Sequence, residues 1–170
     1  MGHPVLRAKA RPLEKTEIRG AVIQKLIDDM IETMTEYHGV GLAAPQVHEG
    51  LRLFVAALDT GDDEEEDPEP IAVINPEITI AGADIVEDWE GCLSIPDIRG
   101  LVPRAREIKV RAFDRTGERI ELSACDFTAR VIQHETDHLD GVLFFDRMKS
   151  LESMTFLDEY SRYWRKPQDD

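Results

Sequence analysis

The sequence predicts an α+β fold: mainly antiparallel sheets around a central helix that carries a metal-binding motif, with one helix towards each end. Three observations predict it. Apolar residues recur at helical spacing near both ends and around residue 130. Short apolar runs and alternating segments fill the stretches between. The helical patterns bracket the strand set, which is the mark of the α+β class. With 170 residues and 42% hydrophobic content, residues 1–170 suit a single globular domain, and no internal repeat is seen.

In chain order, Thr16 is a candidate cap for a helix reaching about Tyr37, with Ile18, Val22, Leu26, Met30, Met34 and Tyr37 as its inward stripe. The glycines of Gly39-Val40-Gly41 should end it. Leu51 to Leu58 and Ile71 to Asn75 read as buried strands, and Glu77 to Ala81 alternates. Glu107 to Phe113 and Arg119 to Ala124 alternate too, joined by Asp114-Arg115-Thr116-Gly117, a hairpin signal. A helix over about 127–139 follows, apolar at 127, 131 and 132, with Asp126 as candidate cap and Gly141 as stop. The last helix, capped near Ser150, should turn Met154, Leu157, Tyr160 and Trp164 inward and end before Pro167.

Composition excludes several classes. A formal charge of −15 argues against a nucleic-acid surface, which needs clustered Lys and Arg. Residues 59–69 hold eight acids and no base, which predicts a solvated acidic surface loop over 59–70; the spacing does not match a calcium-binding loop. No run approaches a membrane span, the start lacks a signal peptide's apolar stretch, and Met1-Gly2 is followed by Leu6 where a myristoylation site has Ser or Thr. A cytoplasmic location is the default. Two cysteines make no disulfide scaffold, so either is available to a metal or to catalysis.

The central helix carries the chemistry. His134-Glu135-Thr136-Asp137-His138 puts two imidazoles on one helical face, about 5–6 Å apart, with Glu135 turned aside toward a bound water. Two histidines on an ordinary amphipathic helix are the plain alternative. A catalytic zinc or iron site takes a third protein ligand and leaves a position open. Cys92, Cys125, the carboxylates, His3, His38 and His48 are candidates. Cys92 is best placed, between strand regions and beside Gly91, whereas Cys125 at the strand-to-helix junction should be a buried small hydrophobe. Position favours Cys92 over Cys125 without deciding between them.

Three blocks in order resemble the peptide deformylases: Gly39-Val40-Gly41-Leu42-Ala43-Ala44-Pro45-Gln46, Glu90-Gly91-Cys92-Leu93-Ser94 and Gln133-His134-Glu135-Thr136-Asp137-His138. Members of that family remove formyl from the N-terminal methionine of new bacterial and organellar proteins. His3-Pro4-Val5-Leu6-Arg7, Ile74-Asn75-Pro76, Val102-Pro103-Arg104 and Leu139-Asp140-Gly141 extend the likeness over nearly the whole chain. The resemblance implies Cys92, His134 and His138 as ligands of one divalent metal ion. Iron(II) is typical of the family, and zinc, nickel or cobalt also suit one thiolate with two imidazoles.

It further implies that Glu135 takes a proton from a metal-activated water and returns it to the leaving amine, while the Leu93 backbone N–H and the Gln46 amide meet the oxyanion. Gly41 and Val40 would border the substrate, Arg99 would contact its backbone, and Glu90 would lie at the substrate site. Glu90 and Arg104 would also hold the metal loop. Val40, Phe127, Val131 and the aliphatic part of Arg130 would line a methionine pocket. Arg130 stands where some relatives have an aliphatic residue, Trp89 adds a bulky aromatic before the cysteine, and Pro45 stiffens the Gln46 loop where some relatives have Thr. The implied partners are N-formylmethionyl nascent peptides and, through Arg162, Arg165 and Lys166, transiently the ribosome, although the acidic balance favours a merely solvated helix face. Two other functions use the same residues: a zinc peptidase cutting internal bonds, and an inactive metal-holding or ribosome-associated protein.

Overall fold

The computed structural model describes residues 1–58 and 68–165. Strands β1 (Gly41–Ala43), β2 (Leu53–Ala57), β3 (Pro70–Ile80), β6 (Glu107–Phe113) and β7 (Arg119–Cys125) form a five-stranded antiparallel sheet in the order β1-β2-β3-β6-β7. A smaller sheet joins β4 (Ile85–Cys92), β5 (Ile95–Ala105) and the short β8 (Thr155–Phe156). The helices are α1 (Lys15–Ile18), α2 (Ala21–Glu36), α3 (Asp126–Leu139), α4 (Phe144–Arg147) and α5 (Leu157–Tyr163).

The larger sheet lies between two helices. Ile23, Ile27, Met30 and Met34 of α2 share a core with Leu53, Val55, Ala72 and Ile74. Ala129, Val131, Ile132 and Leu139 of α3 share another with Phe54, Ala56, Val73, Ile108 and Val110. Successive strand side chains point to opposite faces, so cover on both faces explains why β2 reads as an unbroken apolar run. In β6, by contrast, buried Ile108, Val110 and Ala112 alternate with exposed Glu107, Lys109 and Arg111. The α+β class and the central position of the motif helix are as expected. No helix among the described residues is long and apolar enough to cross a membrane.

Several expected boundaries differ. The first helix breaks at Gly20, whose extended backbone (ψ 144°) caps α2, while a separate turn, α1, begins after Glu14 rather than at Thr16. That break resets the helical register, leaving Val22 81% exposed and burying Ile23 and Ile27 in its place. The expected strands 71–75 and 77–81 are one strand, β3, with a bulge between Ile74 and Glu77. Asn75 sits there with φ 52° and bonds both backbone groups of Leu13, at 2.9 and 2.8 Å. α3 is capped by Cys125, not by Asp126, and Cys125 is exposed rather than buried.

Ser150 caps only a short 3-10 turn, Leu151–Ser153, and α5 begins at Leu157. Met154 and Trp164 are therefore exposed instead of inward. The expected acidic loop lies, over 59–67, outside the described residues.

Candidate metal centre and its cleft

α3 ends in a left-handed turn. Gly141 (φ 73°) bonds back to the His138 carbonyl at 3.3 Å and Val142 N–H to the Asp137 carbonyl at 2.9 Å. A side chain at Gly141 would meet the Arg7 carbonyl oxygen at 2.6 Å, so the N-terminal segment lies against this turn. One turn apart, His134 and His138 place their ring centroids 5.0 Å from each other. Cys92 arrives from the other sheet. It closes β4 and pairs with Ile95 across the two-residue turn Leu93-Ser94. Its Sγ lies 3.3 Å from His138 Nε2, and the donor atoms of Cys92, His134 and His138 all lie within 4.8 Å of one another.

The surroundings fit a divalent cation. His134 Nδ1 is 2.9 Å from Glu90 Oε2, so a proton shared there leaves Nε2 free to ligate. Glu135 is buried and its Oε2 has no protein partner, as expected of a group that serves a bound water or substrate. Burial pushes the Glu135 carboxyl up to about 7; His134 and Arg104 pull against that rise and Glu90 adds to it. Burial also pushes His138 down to about 3, which favours the neutral, ligating imidazole.

Glu90 anchors the support. Burial opposes its charge, but bonds from His134 and Arg104 outweigh that and hold the carboxyl down to about 2. Arg104 grips it with Nε at 2.9 Å and Nη2 at 3.0 Å, and reaches Asp137 Oδ2 at 2.5 Å. Arg147 Nη2 donates to Asp137 Oδ1 at 2.7 Å. Asp137 lies off the apolar stripe of α3, so the local pattern gives no sign of its burial, which goes with the arginines it meets across the fold.

Gln46 sits in the 3-10 turn Ala44–Val47. Its Oε1 accepts the Ala43 N–H at 2.8 Å, and this fixes the amide so that Nε2 points to Cys92 Sγ at 3.5 Å and Ser94 Oγ at 3.2 Å. Gly41 has a concrete reason to be glycine: a Cβ there would stand 2.5 Å from Glu135 Oε1. Beside these groups opens a cleft of about 740 Å3. Val40, Gly41, Gln46, Leu93, Arg99, Phe127 and Val131 all line it, with Phe127 62% exposed.

Glu90 borders the cleft, but its carboxylate is engaged by Arg104, Arg130 and His134. Arg130 also borders it. Its guanidinium turns away into β4 and β5. Leu157 and Tyr37 join the cleft wall unexpectedly; Trp89, the bulky aromatic before the cysteine, lines it too and packs against Tyr160 at 5.1 Å. His3, His38, His48 and Cys125 lie outside the ligand cluster.

A family model described as polypeptide deformylase matches residues 1–154. Peptide deformylase 2 of Nostoc sp. is 48% identical over 162 residues, covering 94% of this chain and 89% of that one. The peptide deformylase of Thermus thermophilus is 45% identical, covering 92% and 84%. Among solved structures, a class I type b peptide deformylase from Acinetobacter baumannii with Met-Ala-Ser bound superposes with TM-score 0.79 at 37% identity, covering 87% of this chain and 94% of that one. The Thermotoga maritima peptide deformylase gives TM-score 0.78 at 44% identity, covering 88% and 95%.

Proposed function

The chain belongs to the polypeptide deformylase family, and from that premise we propose that Cys92, His134 and His138 hold one divalent ion, iron(II) in the cell, with Glu135 as the acid/base group. The family's reaction, which this enzyme performs, is metal-dependent hydrolysis of the formyl group on an N-terminal formyl-methionine, giving formate and a free amine. The observation that carries the residue roles is the clustering of three ligand atoms within 4.8 Å of one another, with a buried carboxylate and an oriented amide, beside one cleft.

A bound divalent ion supplies Lewis acidity and lowers the pKa of water at the site. Glu135 takes the proton of the attacking water and passes it to the departing amine. Gln46 Nε2 and the Leu93 backbone N–H donate to the formyl oxygen as it gains charge. The edge of β1 at Gly41 pairs with the peptide backbone, and Arg99 meets the backbone further along. The methionine side chain enters between Val40, Phe127 and Val131.

Formate release from formyl-Met-Ala, compared with cleavage of acetyl-Met-Ala and of casein, tests this reading. Rapid turnover of the formyl peptide alone is expected, and stronger cleavage of casein would overturn it in favour of an internal peptidase. We place the reaction beside the translating ribosome of a bacterial cytoplasm, because the substrate is a nascent chain. Salt-sensitive co-sedimentation with ribosomes is the expected result there. Arg162, one of the cations that could face RNA, pairs with Glu159 at 3.0 Å in an exposed contact, worth at most about 1 kcal/mol and so readily exchanged.

A further inference from the structure

We infer that Arg130 is a positioning residue of the metal centre, locking the hairpin that carries Cys92 onto the helix that carries the histidines. Arg130 and His134 are four positions apart on α3 and so share a face. Both grip the same carboxylate: Arg130 Nη1 donates to Glu90 Oε1 at 2.8 Å, and His134 Nδ1 meets Oε2 at 2.9 Å. The guanidinium then reaches further. Nη1 bonds the Val102 carbonyl at 2.8 Å and Nη2 the Val86 carbonyl at 2.8 Å. With a longer bond from Nη1 to the Asp88 carbonyl at 3.5 Å, one side chain of α3, 7% exposed, thus ties to β4 three times and to β5 once.

A planar fork can meet acceptors this far apart, whereas the single ammonium of a lysine has no such span. An apolar residue of similar length would leave buried carbonyls and part of the Glu90 charge without donors. Cys92 lies two residues beyond Glu90 on the same strand. Any slip of β4 along α3 therefore moves the thiol relative to the imidazoles. The core between α3 and the larger sheet is built from Ala129, Val131, Ile132 and Leu139, without Arg130. Losing Arg130 should accordingly loosen the centre more than the fold.

The inference rests on Cys92, His134 and His138 being the ligands, and cobalt(II)-loaded protein separates the two ideas. Wild type should hold one cobalt per chain with a thiolate-to-cobalt absorption band. Arg130→Met and Arg130→Lys should release cobalt to a colorimetric chelator about tenfold or more faster, shift the visible cobalt bands, and lower kcat more than they raise KM. Ile132→Val, a buried change on the same helix that touches none of these groups, should lower Tm and leave the cobalt spectrum and release rate unchanged.

If Arg130→Met does not fold, Arg130→Lys, which keeps the charge, carries the test. A wild-type spectrum and release rate in whichever variant folds would overturn the inference. So would failure of both to fold, which would leave Arg130 a role in folding only. Cys92→Ala protein that keeps its cobalt would instead sink the ligand assignment, however the Arg130 variants behave.

Discussion

At Gly41 a hydrogen stands where any side chain would collide with the Glu135 carboxylate. Gly41→Ala brings a methyl to 2.5 Å from Glu135 Oε1, so either the strand or the carboxylate must move. A displacement of this size should lower kcat about 100-fold with bound metal unchanged, which formate assay and metal analysis on one preparation will show. Glu135→Gln removes the proton acceptor with almost no change of shape. It should reduce formate release by about 10² to 10⁴ and leave the metal in place; near-normal turnover would reassign the base. Both residues could be named from the sequence. Their contact could not, because it depends on how β1 packs against α3.

At the scale of elements, what could be read followed from how each segment is covered. β2, β6, β7 and α3 were legible because burial on two faces, on one face, or along a helical stripe leaves a distinct periodicity. The hairpin of β4 and β5 was not. It carries Glu87, Asp88 and Glu90 with Gly91, Pro96, Gly100 and Pro103, residue types that count against strands. Glu90 belongs there because it meets arginines, a long-range reason invisible in a local window. The break at Gly20 likewise shifted the inward stripe by one position.

The turn between β6 and β7 allows a test at this scale. Asp114 Oδ1 accepts bonds from Thr116 N–H at 2.8 Å, Thr116 Oγ1 at 2.7 Å and Glu118 N–H at 3.0 Å. Burial opposes the charge, but these bonds win and hold the carboxyl below its ordinary value. Its contribution is therefore present above the ordinary carboxylate range and is lost as pH falls through the depressed value. Asp114→Ala should cost about 1 kcal/mol at pH 7, and urea titrations should show the gap from wild type closing in acid.

The whole molecule is a sheet held between two helices, with a smaller sheet attached at the metal centre. Phe54, fully buried on β2 of the larger sheet, should cost about 3–5 kcal/mol when cut to alanine, read by chemical denaturation. Chelation should act differently. The proposed ligands come from β4 of the smaller sheet and from α3, which packs on the larger one, so an ion present at about 100 times its Kd should add about 2.7 kcal/mol of stability. Calorimetry should show Tm falling on metal removal and returning when the ion is restored.

Cys92 and His138 are also distant along the chain, and that separation sets a timetable. A centre whose thiolate belongs to β4 and whose imidazoles belong to α3 has no early, local precursor. During synthesis the nascent chain must emerge past His138, and β4 must already be docked on α3, before any ion finds three ligands. Every new copy of this chain thus lacks the complete set of proposed ligands until most of it has been made.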